Sequence, residues 1–134
     1  MTPGSVNSLP IYKKSLDLYD LSKAIASYFS YNKDVFSLKS STSFRDNLSE
    51  SLLTDSQMIT KEIEIAFRSN SHTAKMKSLT FINIMTRNIL AYCNGLERDG
   101  VKEKEYLNLL RTEIKTFRSS FKNWRKSLKG GEGQ

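Results

Sequence analysis

At 134 residues the chain has the length of one domain, and its 38% of hydrophobic residues suffices for one modest core. Its net charge is +7, and no stretch approaches the roughly 18 uncharged apolar residues of a spanning helix, so a membrane protein is not expected. The one cysteine, Cys93, and the one histidine, His72, exclude a disulfide framework within these residues, a multi-cysteine zinc site and a two-histidine metal motif.

Residues 1–9 are expected to form a flexible N-terminus. They show no basic start followed by an apolar run, so no secretory leader is expected and the cytoplasm is the expected compartment. Pro3 and Pro10 are the only prolines, and no glycine falls between residues 5 and 94, which favours long helices. The first helix is predicted to start near Pro10, a residue suited to the first helical turn, with Leu18, Leu21, Ile25, Tyr28 and Phe29 as its apolar face. Residues 37–43 read as a polar loop. Ser43 with Asp46 three residues on fits a capping box and opens a second helix, whose face runs Leu48, Leu52, Ile59, Ile63, Ala66.

Ser69-Asn70-Ser71 is a second break, made of residues that compete with the helical backbone. A third helix is predicted from about Thr73, with Met76, Leu79, Ile82, Ile89, Leu90 and Cys93 apolar, and Asn94-Gly95 as its stop. In the fourth helix Leu107, Leu110, Ile114, Phe117, Phe121, Trp124 and Leu128 alternate in steps of three and four, the seam of a helix packed lengthwise on neighbours. Residues 130–134 are expected to be a disordered tail. The expected fold is all-α: an antiparallel up-down-up-down four-helix bundle over residues 10–129. Ile11, Tyr12, Phe44, Phe81 and Ile84 fall off the assigned faces, which predicts assembly into a cyclic oligomer that hides them.

Catalytic chemistry finds little support in these residues. The carboxylates are expected on polar faces, Glu62 and Glu64 lie on different sides of a helix, and there is no Glu-x-x-His pair. His72 reads as a partly exposed residue at a helix start. Cys93 falls in register with Leu79, Ile82 and Ile89 and reads as a buried structural residue. There is no Gly-x-Ser-x-Gly turn and no glycine-rich phosphate loop. No enzymatic activity, metal or cofactor is expected.

The charge is unevenly placed. Residues 1–60 carry six basic and six acidic side chains, whereas residues 61–134 carry fifteen basic and eight acidic ones. Within 111–129, seven basic residues face one acidic residue, Glu113. Arg118, Lys122, Arg125 and Lys129 step by four, three and four and so form one stripe beside the apolar seam, extended by Lys115 and Lys126. Such a stripe creates a positive field suited to a phosphate backbone. Phe117, Phe121 and Trp124 lie in the seam and read as packing residues. The apolar side of this helix is needed for the bundle, so membrane contact is not expected.

The segment Pro10-Ile11-Tyr12-Lys13-Lys14-Ser15-Leu16-Asp17-Leu18-Tyr19 resembles the first helix of the four-helix-bundle proteins encoded in 23S ribosomal RNA intervening sequences. Tyr106-Leu107 through Ile114, and then Phe117 through Leu128 with Trp124-Arg125-Lys126, is similar to the last helix of a sister group, the accessory variability determinant proteins of diversity-generating retroelements. The resemblance covers about residues 10–129. It implies a small basic bundle forming a homopentamer, which binds a reverse transcriptase and RNA or DNA during complementary-DNA synthesis. The basic residues at matching positions are Arg87 on the third helix and Arg118, Lys122, Arg125 and Lys126 on the fourth. The alternative is an intervening-sequence-type bundle acting as a protein-interaction module.

Overall fold

The computed structural model describes residues 5–34, 38 and 42–132, with side chains as far as Leu128. A 3-10 turn, Val6–Ser8, leads into helix α1 (Pro10–Phe29); α2 (Phe44–Arg68), α3 (His72–Arg98) and α4 (Lys104–Glu132) follow. Among the described residues there is no strand. Each helix packs on two neighbours: α1 on α2 and α4, and α3 on α2 and α4. The chain is thus a four-helix bundle.

The helix starts follow local chemistry. Pro10 occupies the first turn of α1, where a missing N–H costs nothing. Ser43 Oγ accepts from the Asp46 N–H at 3.3 Å, and Ser71 Oγ accepts from the Ala74 N–H at 3.2 Å, each satisfying an orphan donor. The first turn of α3 therefore begins at His72, one residue before the expected start.

The end of α3 departs from expectation. The helix continues through Asn94-Gly95 to Arg98, and the turn falls at Gly100, whose φ of 95° is the only positive value among the described residues. Gly95 serves packing instead of termination. It is buried, and a Cβ built there would stand 2.9 Å from Leu48 Cδ1, so the missing side chain lets α2 approach α3.

The core collects Leu18, Ile25 and Phe29 from α1, Leu52, Ile59 and Ile63 from α2, Leu79, Ile82, Ile89 and Cys93 from α3, and Leu107, Leu110, Ile114, Phe117 and Phe121 from α4. Four apolar positions differ from the sequence reading. Ile11, expected off the core, is only 3% exposed and packs in the same cluster as Val6. Tyr28, expected inside, is 52% exposed. Trp124 and Leu128, at the end of the α4 seam, are only half-buried. The α4 helix has 29 residues and α1 has 20, so the end of α4 outruns one of its neighbours.

The interior also holds polar side chains. Ser15 and Ser22 on α1, and Ser49 and Ser56 on α2, are fully buried at seven-residue spacing. Thr60 Oγ1 donates to Ser15 Oγ at 3.2 Å, and Ser56 Oγ donates to the Leu53 carbonyl at 3.0 Å. Asp46 is a buried carboxylate where polar faces were expected for all of them. It accepts from the Tyr31 N–H at 2.6 Å and from the Asn32 side-chain amide, which folds the chain after α1 onto the first turn of α2. Beside it, Arg45 Nε donates to Asp99 Oδ2 at 2.7 Å, and its guanidinium lies 4.9 Å from the Tyr31 ring centroid. These contacts tie the loops at one end of the bundle together.

Candidate nucleic-acid interface

The spacing of the basic residues on α4 sets them on one side of the helix, and the packing of α3 decides what they face. Arg118, Lys122, Arg125 and Lys126 line a groove of about 540 Å³ together with Ser119, Phe121 and, from α3, Asn83. Arg118 and Arg125 are half-buried, as expected where a long apolar stem carries a charged end. Lys122 and Lys126 are exposed. Of the remaining basic residues named from the sequence, Lys115 and Arg87 are exposed outside the lining of this groove, Arg87 being one helical turn beyond Asn83 on α3. The side chain of Lys129 lies outside the described residues.

The sequence reading missed Asn83, whose place in the groove depends on how α3 packs against α4. It also missed a second groove, of about 270 Å³, lined by Asn94, Glu97 and Arg98 of α3 and Lys104 and Arg111 of α4. Arg111 Nη2 donates to Asn94 Oδ1 at 2.8 Å and meets Glu97 Oε1 at 2.8 Å, while Nη1 donates to Asn108 Oδ1 at 3.0 Å. The signal for Arg111 was present, since it lies seven residues before Arg118 and on the same stripe.

The aromatic residues of α4 divide between core and rim. The Phe117 and Phe121 rings stack with centroids 6.2 Å apart and are nearly fully buried. Neither offers a free face to a base. Trp124 packs against Phe121 at 6.4 Å and is not among the groove-lining residues. A different, apolar groove of about 190 Å³ runs between α1 and α4, lined by Leu21, Ala24, Ile25, Tyr28, Tyr106 and Leu109. There Tyr28 meets Tyr106 edge-on at 5.0 Å, and Leu109 is 57% exposed.

The reactive groups are held in unreactive states. Burial pushes the Cys93 thiol up to about 11, well above the pH at which a thiolate nucleophile would be useful. Burial, then the hydrogen bond and charge of Asp55, push the Tyr92 phenol up to about 12; its hydroxyl donates to Asp55 Oδ2 at 2.8 Å. Among the described residues no group of three or more His, Cys, Asp or Glu side chains could hold a metal ion, and no helix is long and apolar enough to cross a membrane.

Comparison of the chain with protein-family models, curated proteins and solved structures finds no match.

Proposed function

We propose that this chain is a non-catalytic accessory protein of a diversity-generating retroelement, which binds the reverse transcriptase and its RNA or DNA during mutagenic complementary-DNA synthesis. The observation that carries the nucleic-acid part is the groove in which four cations of α4 converge with Asn83. The retroelement and polymerase parts rest on the likeness of residues 10–19 and 106–128 to the two families named above. Binding goes mainly through phosphates, without strong sequence preference and with no metal or cofactor, in the cytoplasm. Affinity then falls steeply with salt, by about one log–log unit per neutralised phosphate. Charge reversal at Arg118 and Arg125 reduces that slope; tight binding indifferent to salt refutes the reading.

The proposal includes an antiparallel up-down-up-down course and a closed homo-oligomer, a pentamer. The course is supported by pairs that join the start of one helix to the end of another: Tyr12 Oη donates to Glu64 Oε1 at 3.2 Å, Arg45 binds Asp99, and Tyr28 meets Tyr106. The oligomer is supported by the exposure of Phe44, Phe81 and Ile84, apolar surface that cyclic closure hides. A sedimenting species of monomer mass at micromolar concentration counts against it.

A second reading, a protein-interaction module without nucleic acid, is favoured by the exposed Tyr28, Tyr106 and Leu109. Co-purification with a reverse transcriptase encoded nearby, and the salt titration above, separate the two.

A further inference from the structure

Two basic grooves open between α3 and α4, one around Arg118 and Lys122 and the other around Arg98, Lys104 and Arg111. We infer that they are the two ends of one continuous track along the α3–α4 seam, and that its occupant is the backbone of double-stranded DNA. This inference rests on the phosphate-binding reading above and extends it in length and in the kind of strand.

The spacing joins the grooves. On α3, Asn83, Arg87, Asn94 and Arg98 step by four, seven and four, which keeps them on one side of the helix. On α4, Lys104, Arg111, Arg118, Lys122 and Arg125 step by seven, seven, four and three and do the same. Asn83 shares a groove with Arg118, and Asn94 shares one with Arg111, so both stripes border the same seam. The exposed Arg87 and Lys115 fall between the grooves in sequence and bridge them with charge. Glu97 is the one carboxylate lining either groove, and it is already engaged by Arg111.

Length and composition choose the occupant. From Lys104 to Lys126 the track runs roughly 33 Å at 1.5 Å per residue. One turn of duplex DNA is about 34 Å, so a straight track along the duplex axis meets phosphates of two successive turns. A single strand would be held by stacking its bases on aromatic faces. The one aromatic residue lining either groove, Phe121, is buried and offers none. A duplex keeps its bases to itself and presents phosphates at fixed spacing, which is what a row of cations without stacking platforms can use.

The test is fluorescence anisotropy of the full chain with a labelled DNA duplex of about two turns, an RNA duplex of equal length and an oligothymidylate of equal nucleotide count, each titrated across potassium chloride concentrations. Two double variants probe the two ends: Arg98→Gln with Lys104→Glu, and Arg118→Glu with Lys122→Glu. Lys104 opens α4, where a glutamate is favoured by the helix dipole, so the first variant keeps its fold, checked by circular dichroism. The expected result is DNA-duplex binding about tenfold or more tighter than single-strand binding, with each double variant lowering the salt slope by about two units. If the Arg98/Lys104 variant titrates like the parent while the Arg118/Lys122 variant does not, the continuous track is wrong and the local groove stands. If oligothymidylate or the RNA duplex binds as tightly as the DNA duplex, the occupant is wrong. If neither variant changes the slope, the phosphate-binding reading itself fails.

Discussion

Truncating Trp124 separates packing from binding on α4. Trp→Ala in a full core costs about 3–5 kcal/mol. Phe117, nearly fully buried, sets that upper case, and Phe117→Ala is expected to reach it. Trp124 is half-buried against Phe121, so its loss removes about half as much contact, roughly 1.5–2.5 kcal/mol. For a domain of this size that lowers Tm by roughly 5–10 °C, within a total stability of about 5–15 kcal/mol. Trp124 is not among the groove-lining residues, so the variant is expected to keep the proposed nucleic-acid binding at temperatures well below its melting point. Arg125→Glu with Lys126→Glu has the opposite profile. The proposed binding and its salt dependence are expected to be lost, while melting changes by about 1 kcal/mol, since the charges contribute little and only the half-buried Arg125 gives up packing. Circular-dichroism melting and an anisotropy titration on the same samples compare the two classes. If Trp124→Ala melts like the parent yet fails to bind, Trp124 is a contact residue and the division of α4 into a packed side and a binding side is wrong.

Four further outcomes concern the interior and the turn after α3. Gly95→Ala gains about 1 kcal/mol of helix propensity and loses a similar amount by pushing the half-buried Leu48 methyls aside, so chemical denaturation should show a change within about 1 kcal/mol. Gly100→Ala, with open space around it, should nonetheless lose about 1–2 kcal/mol, because the left-handed backbone there strains any Cβ; a neutral result would refute that conformation. Asp46→Ala removes the acceptor shared by the Tyr31 N–H and the Asn32 amide and should cost about 2–4 kcal/mol, with accelerated hydrogen exchange at Tyr31; unchanged exchange would show that the carboxylate does not hold that turn. The Cys93 thiol, whose folded pKa of about 11 lies above its ordinary 9.0, contributes stability fully present below pH 9 and lost as pH rises through 11. Iodoacetamide at mildly alkaline pH should therefore label it only on unfolding, and rapid labelling of the native protein would contradict its burial.

Local signals in the sequence determined where the helices begin. Pro10, Ser43 and Ser71 act on backbone groups within three residues of themselves, so neither distant chain nor solvent can overrule them easily. The apolar seam from Leu107 to Phe121 was equally legible, because one face of a helix is set by spacing alone. The basic stripe of α4 was legible for the same reason. What it faces was not. Asn83, Asn94 and Arg98 join the basic residues of α4 only because α3 lies beside that stripe, a choice made by packing. Gly95 carries the usual mark of a helix stop, yet its role is decided by Leu48, 47 positions earlier in the chain. Asp46 looks like a surface cap until Tyr31 and Asn32 close over it. Trp124 continues the heptad spacing without full burial because periodicity says which way a residue faces, whereas the lengths of the neighbouring helices decide whether anything stands opposite it.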